Sequence, residues 1–378
     1  MKKSALSVIS LALLGVAGGV RTQSSVILYG TIDAGVGYVK TSQGARWGFI
    51  DGILSGDRWG LKSSEDLGGG MKAIFDLENG FDIGTGQLGQ GGREFGRQAF
   101  VGLSGNSWGT LTLGRQYDPL VDMVQPLTAD NYFGSIFATP GDVDNYDNSL
   151  RVSNAVQYVS PNYAGLQFEG LYAFSGLAGR TGQGYTYSGA VTYNNGPLNF
   201  LATNPSPTAG AFRDDWDPTS SSDAIFDGAI NSGYATAKSL GIARAGIQYA
   251  LGPVTVGGSY SNAQYKNDGD LTFTSTEKYN VGNAFVNYQA TPAMLFAVGY
   301  SYEKASRNMS MYNQASLSAD YSLSKRSDLY VVGAYQHASG TQLNPDGTTS
   351  PAQASISSYG FNGTASQEMF ILGMRHKS

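Results

Sequence analysis

The connections between the candidate strands of this chain alternate between short and long, and that alternation constrains its fold more than any other feature. Seven tight turn signals recur: Asp66–Gly70, Gly105–Ser107, Ser160–Asn162, Asn194–Gly196, Leu251–Pro253, Ala290–Pro292 and Ser324–Arg326. Tyr158, Tyr193, Tyr249, Tyr288 and Tyr321 each stand just before one of them. Gly, Pro, Asn and Ser at such points supply the reversals that join antiparallel strands. Longer polar stretches separate the turns. With both chain ends on the turn side, seven turns and eight long connections make fifteen joins, and hence sixteen strands.

The segments between the joins have a period of two. Met294, Phe296, Val298, Tyr300 and Tyr302 alternate with Leu295, Ala297, Gly299 and Ser301. Tyr187, Gly189, Val191 and Tyr193 alternate with Ser188, Ala190, Thr192 and Asn194, and Val254, Val256, Gly258 and Tyr260 repeat the pattern. Alternation puts the apolar set on one face of a strand and the polar set on the other. In a water-soluble sandwich the apolar face points inward. In a transmembrane barrel it faces lipid, and the polar face lines a wet lumen. Segments 97–103 and 329–337 alternate weakly.

Three features favour the barrel. An even strand count in one unbroken series suits closure, and tyrosines at strand ends suit an aromatic girdle. The third is the N-terminus, where Lys2 and Lys3 precede an apolar run from Leu6 to Val20. That run is short for a membrane helix and has the form of a secretory signal, expected to span residues 1–22. Cleavage after Thr22 would remove Lys2, Lys3 and Arg21. The 24 basic residues would become 21 against 29 acidic ones, for a net charge of −8. That balance disfavours nucleic acid as a partner. The chain has no cysteine, which excludes thiolate metal sites and Cys nucleophiles.

One connection stands apart. Between Asp118 and Leu150 the chain carries Asp118, Asp122, Asp130, Asp142, Asp144 and Asp147 and no Lys or Arg. Met123, Tyr132, Phe133, Ile136, Phe137 and Tyr146 give it apolar groups to bury, so a folded loop is expected over 118–150, docked against opposite charge. The other long connections, about 203–240 and 338–361, are expected to be exposed and mobile.

Several segments resemble the general diffusion porins of Gram-negative outer membranes, most closely the β-proteobacterial branch. They are Val26–Ala34, Ser55–Lys62, Glu65–Gly70, Gly92–Leu103, Gly109–Pro119, Ser153–Tyr163 and Gly373–Lys377. The resemblance covers nearly the whole chain and is strongest over 24–175. It implies an all-β fold, a 16-stranded antiparallel transmembrane barrel over 23–378 whose third loop folds into the lumen. It also implies a homotrimer in outer-membrane lipid, passing small hydrophilic solutes and ions without a cofactor. Ser378 stands where that family ends in an aromatic residue.

The same resemblance implies basic residues on the wall opposite the loop, and Arg58, Arg97 and Arg151 fall in the matching motifs, with Arg115 at the loop's mouth. Strand parity places Arg58 and Lys62 inward beside Trp59 and Leu61, because a cation facing lipid at mid-depth costs roughly 2–4 kcal/mol. Asp118, Asp122 and Asp130 are the expected acidic partners, and Arg244 is a further inward candidate. Arginines facing aspartates across a waist set ion preference, while the waist sets the size limit. An anion preference is expected despite the acidic net charge.

Other chemistries find less support. Asp142–Asn148 has alternating oxygen ligands but lacks the Gly of a calcium loop. Only His337 and His376 are available to a hydrolase, and neither lies near an obvious Ser nucleophile in sequence. A substrate-specific porin, a structural or adhesin-like barrel and an outer-membrane hydrolase are the rival readings.

Overall fold

The computed structural model describes residues 25–41, 44–174, 185–196, 198–204, 208–209, 230–235, 237–267, 273–357 and 363–378. The secretory signal expected over 1–22 lies outside the described residues. Strands β1 (Ser25–Thr41), β2 (Gly44–Asp51), β3 (Arg58–Gly68), β4 (Met71–Gly80), β5 (Gln98–Gly105) and β6 (Gly109–Gln116) precede the long loop. After it come β7 (Val152–Val159), β8 (Leu166–Ala173), β9 (Thr186–Asn195), β10 (Leu198–Asn204) and β11 (Thr208–Ala209). Next are β12 (Ser239–Leu251), β13 (Val254–Lys266), β14 (Glu277–Thr291), β15 (Met294–Ala305), β16 (Met311–Ser322) and β17 (Ser327–Ser339). A small hairpin, β18 (Thr341–Leu343) and β19 (Thr349–Pro351), precedes the last strand, β20 (Ser366–Lys377).

Apart from β2/β3, β10/β11 and the separate β18–β19 hairpin, consecutive strands pair antiparallel, and β20 pairs with both β17 and β1. The sheet therefore closes on itself and leaves no edge. β2 and β3 both pair with β1 and form one strand interrupted at 52–57. β10 and β11 likewise both lie between β9 and β12. Counting each of these as one strand, and setting the β18–β19 hairpin aside, the described residues form the sixteen strands read from the turns. All seven turn signals fall between paired strands.

The period of two separates outside from inside. Phe296, Val298, Tyr300 and Tyr302 are exposed on the outer face, while Ala297, Ser301 and Glu303 between them are buried. Val101, Leu103, Leu111, Leu113, Leu317, Phe370 and Leu372 continue the outward apolar rows. A monomeric water-soluble protein does not present this much contiguous apolar surface.

The loop after β6 packs inside the barrel. Leu120, Val124 and Val143 are fully buried against Ala263, Tyr265, Tyr279 and Val281. Phe133, Ile136 and Phe137 pack on Phe285, Val332 and Ile371. Val332 accounts for the weak alternation of 329–337: its inward position is covered by the loop, so it is apolar. The last long connection is exposed only in part, and most of the 203–240 connection lies outside the described residues. Ile230, Asn231 and Tyr234 at the end of one, and Leu343, Ala354 and Ile356 in the other, are buried, because they pack over the same interior.

Candidate functional site

The interruption at 52–57 begins the site. Asp33 on β1 accepts hydrogen bonds from the backbone N–H groups of Leu54 (2.6 Å) and Ser55 (2.8 Å), which fold the insert inward. The backbone N–H of Ser135 then donates to the Ile53 carbonyl at 2.9 Å and docks the loop on the insert. Gly134 makes this contact possible: it has φ of +67°, and a Cβ there would lie 1.8 Å from the Ile53 oxygen.

The far wall fastens the loop by a buried ion pair. Arg244 Nη2 lies 3.3 Å from Asp144 Oδ2, both side chains are inaccessible to solvent, and the guanidinium stacks 4.8 Å from the Tyr146 ring centre. Ser261 donates to the same carboxylate, and Tyr265 donates to the Val143 carbonyl at 2.6 Å. Tyr132 donates to Gln248 at 2.8 Å, and Gln314 to the Ile136 carbonyl. Arg244 thus faces inward as its parity requires, but it serves as a clamp rather than a lining residue.

On the opposite side the loop leaves a cavity of about 710 Å³. Arg58, Arg97 and Arg151 line one side of it, and Asp130 and Asp147 from the loop line the other. Glu78 on β4 organises the basic side. It lies 2.7 Å from Arg97 Nε and 3.5 Å from Arg58 Nε, and it accepts hydrogen bonds from Tyr117 (2.7 Å) and Tyr29 (3.1 Å). The Tyr117 ring sits 5.8 Å from the Arg97 guanidinium and 5.9 Å from that of Arg151. Burial and the neighbouring Arg97 pull Arg151 down to about 10, so it remains a cation at neutral pH. Burial pushes Asp130 up to about 7, and burial raises Asp147 as well.

The remaining expected residues lie elsewhere. Arg115 does not line the cavity: it donates to the Gly96 carbonyl and to Ser153, each at 2.7 Å, and ties the loop's mouth to β7. Lys62 faces the lumen below the waist, 4.8 Å from the Tyr29 ring centre. Asp118 and Asp122 turn to the wall behind the loop. Asp118 accepts from Ser188 and from the Leu120 backbone N–H, both at 2.8 Å, and Asp122 accepts from Gln157 at 3.2 Å. Asp142 accepts from the backbone N–H groups of Asp147 (2.8 Å) and Ser149 (3.1 Å), so 142–148 folds on itself. No group of three or more acidic or His residues suited to a metal occurs among the described residues. His337 points outward with Tyr335, away from the lumen.

Sequence reasoning missed Glu78, Tyr117, Asp147, Arg375 and Lys377, all of which line the cavity. Asp76 and Glu78 alternate with Phe75 and Leu77, and that charge at period two was the available signal for Glu78.

A closed barrel greasy outside, with a charged waist inside, belongs to the class of outer-membrane channels. Within that class the chain belongs to the Gram-negative porin family, which it matches over residues 5–341. It is 33% identical over 313 residues to an outer membrane porin protein of Bordetella pertussis, covering 75% of this chain and 66% of that protein. It is 37% identical over 214 residues to outer membrane porin protein 32 of Delftia acidovorans, covering 53% of this chain and 58% of that one. The matched region thus spans less than two-thirds of either relative. Among solved structures, an anion-selective porin from Comamonas acidovorans shares the fold with a TM-score of 0.73 at 24% identity, over 94% of this chain and all of that one.

Proposed function

We propose that this outer-membrane protein is a passive, water-filled channel for small hydrophilic solutes, with a preference for anions. The observation that carries the reading is the meeting of Arg58, Arg97 and Arg151 with Asp130 and Asp147 across one cavity. Charges of opposite sign on facing walls create a transverse field where solutes must pass, and arginine keeps its charge throughout. Glu78 offsets part of the basic charge, Lys377 adds to it, and Arg375 is matched by Asp320 and Asp328. The name of the Comamonas protein, an anion-selective porin, is consistent with this preference. Three copies are proposed to assemble in the membrane, and the channel requires no cofactor and no catalytic group.

Reversal potentials of the purified protein in a planar bilayer under a salt gradient test the proposal. An anion preference that collapses in the Arg58→Ser, Arg97→Ser, Arg151→Ser variant supports it. The same cation preference in both proteins refutes it.

A further inference from the structure

A side pocket opens off the main passage behind the 52–57 insert. It has a volume of about 210 Å³ and is bordered by Asp51, Asp57, Asp82, Gln90 and Arg97. Gly52, Gly56, Gln90 and Arg97 border the main cavity as well, so an ion in the passage reaches the pocket directly. Three carboxylates thus stand beside the basic side of the waist. Arg97, the cation next to them, is already held by Glu78 at 2.7 Å.

The walls of this pocket are fixed by hydrogen bonds of their own. The Phe81 N–H donates to the Asp57 carbonyl at 3.2 Å and ties the connection after β4 to the insert. That connection turns on Asp82, whose carboxylate accepts from the Thr85 N–H at 2.8 Å and whose N–H donates to the Gln87 carbonyl at 2.9 Å. Asp57 is only 4% exposed. The Asp33 N–H donates to its Oδ1 at 2.6 Å, while its Oδ2 is buried without a hydrogen-bond partner, as is Gln90 Oε1. Such bare buried oxygens are costly. The side chains of Asp51 and Asp82 lie within hydrogen-bonding range of each other. Two carboxylates that close repel unless a proton or a cation stands between them.

We propose that the pocket binds a hard divalent cation, calcium in preference to magnesium. The donors are all oxygens, and they come from two separate connections. Calcium accepts an irregular cage of this kind, whereas magnesium demands a near-ideal octahedron. Among the described residues no three carboxylates converge on one point. The ion therefore touches Asp51, Asp82 and the Gln90 amide oxygen and meets Asp57 through water, as calcium loops do at one of their positions. Once bound, it joins the 52–57 insert to the connection after β4 and places two positive charges beside Arg97.

Equilibrium dialysis of the full-length protein in detergent against radioactive calcium provides the test. One saturable site per chain is expected, half-filled at about 0.1–1 mM, with magnesium displacing calcium only at roughly tenfold or greater excess. The Asp51→Asn, Asp82→Asn variant keeps an acceptor for the Thr85 N–H and is expected to bind about tenfold or more weakly. Glu65→Gln, which removes an exposed carboxylate of β3, is expected to bind as wild type. Single-channel conductance of the same preparations verifies that each protein is folded. Equal affinity in the double variant, an equal loss in Glu65→Gln, or no saturable binding by the wild type would each overturn the proposal. The last is the result expected if a shared proton bridges Asp51 and Asp82. Dialysis reads no current, so its failure leaves the anion preference standing.

Discussion

Along β3 to β7 the inward positions carry Arg58, Glu78 and Arg97 toward open space, whereas along β12 to β17 they carry Ala263, Tyr265, Tyr279, Val281 and Val332 into dry contact with the loop. Both walls obey the same alternation. They differ because the loop packs along one, whereas it meets the other at the 52–57 insert and at β7 and leaves a gap between those points. On the covered wall, apolar contacts and the buried Arg244–Asp144 pair anchor the loop; on the open wall, Arg58 and Arg97 face the gap and share the Glu78 carboxylate. The passage is therefore defined by where the loop is attached as much as by which residues line it.

The comparison can be broken most severely at the covered wall. Arg244→Ala leaves Asp144 as an unpaired buried charge, and losing one partner of such a pair costs about 3–5 kcal/mol. Urea unfolding should show this loss, and bilayer recordings should show larger, noisier channel steps as the loop detaches. Next comes the docking point: Gly134→Ala places a Cβ against the Ile53 carbonyl at positive φ, a strain of about 1–3 kcal/mol. Its midpoint in urea should fall by less than that of Arg244→Ala, with the slope unchanged.

The open wall responds in selectivity rather than stability. Glu78→Gln removes the carboxylate that neutralises Arg58 and Arg97, so the anion-to-cation permeability ratio should rise by about two- to threefold. A fall in that ratio would show that Glu78 matters chiefly for holding the arginines in place. The smallest effect is that of pH. Asp130 has a pKa of about 7, so it is charged above that value and neutral below it, while the arginines stay charged throughout. Acidification through neutrality should therefore strengthen anion preference modestly, and Asp130→Asn should move the high-pH value toward the low-pH one, with Asp147 supplying the remaining dependence.

The open and covered walls were not equally legible in the sequence. Strands and turns follow local rules, so Asp66–Gly70 and the six other turns, with the sixteen strands between them, could be read directly. Arg58 follows from parity, and Arg97 and Arg151 from their motifs. The acidic side could not be read in this way. Residues 120–142 wind through short helical turns, in which neighbouring side chains diverge by angles that no period of two describes. Hence Asp118 and Asp122 turn to the wall, and Asp147 joins Asp130 at the cavity. Arg115 looked equivalent to the other arginines because its neighbour, the Gly96 carbonyl, comes from a distant connection.

The absence of native cysteine makes a direct test of loop placement possible. Ser149 lies on the loop and lines the cavity beside Arg151. In a Ser149→Cys protein, a water-soluble anionic thiol reagent should react from the lumen and cut single-channel conductance by roughly half or more, whereas a thiol at lipid-facing Val101 should leave the current unchanged. Unaltered conductance after complete modification of Ser149→Cys would contradict a passage narrowed by this loop.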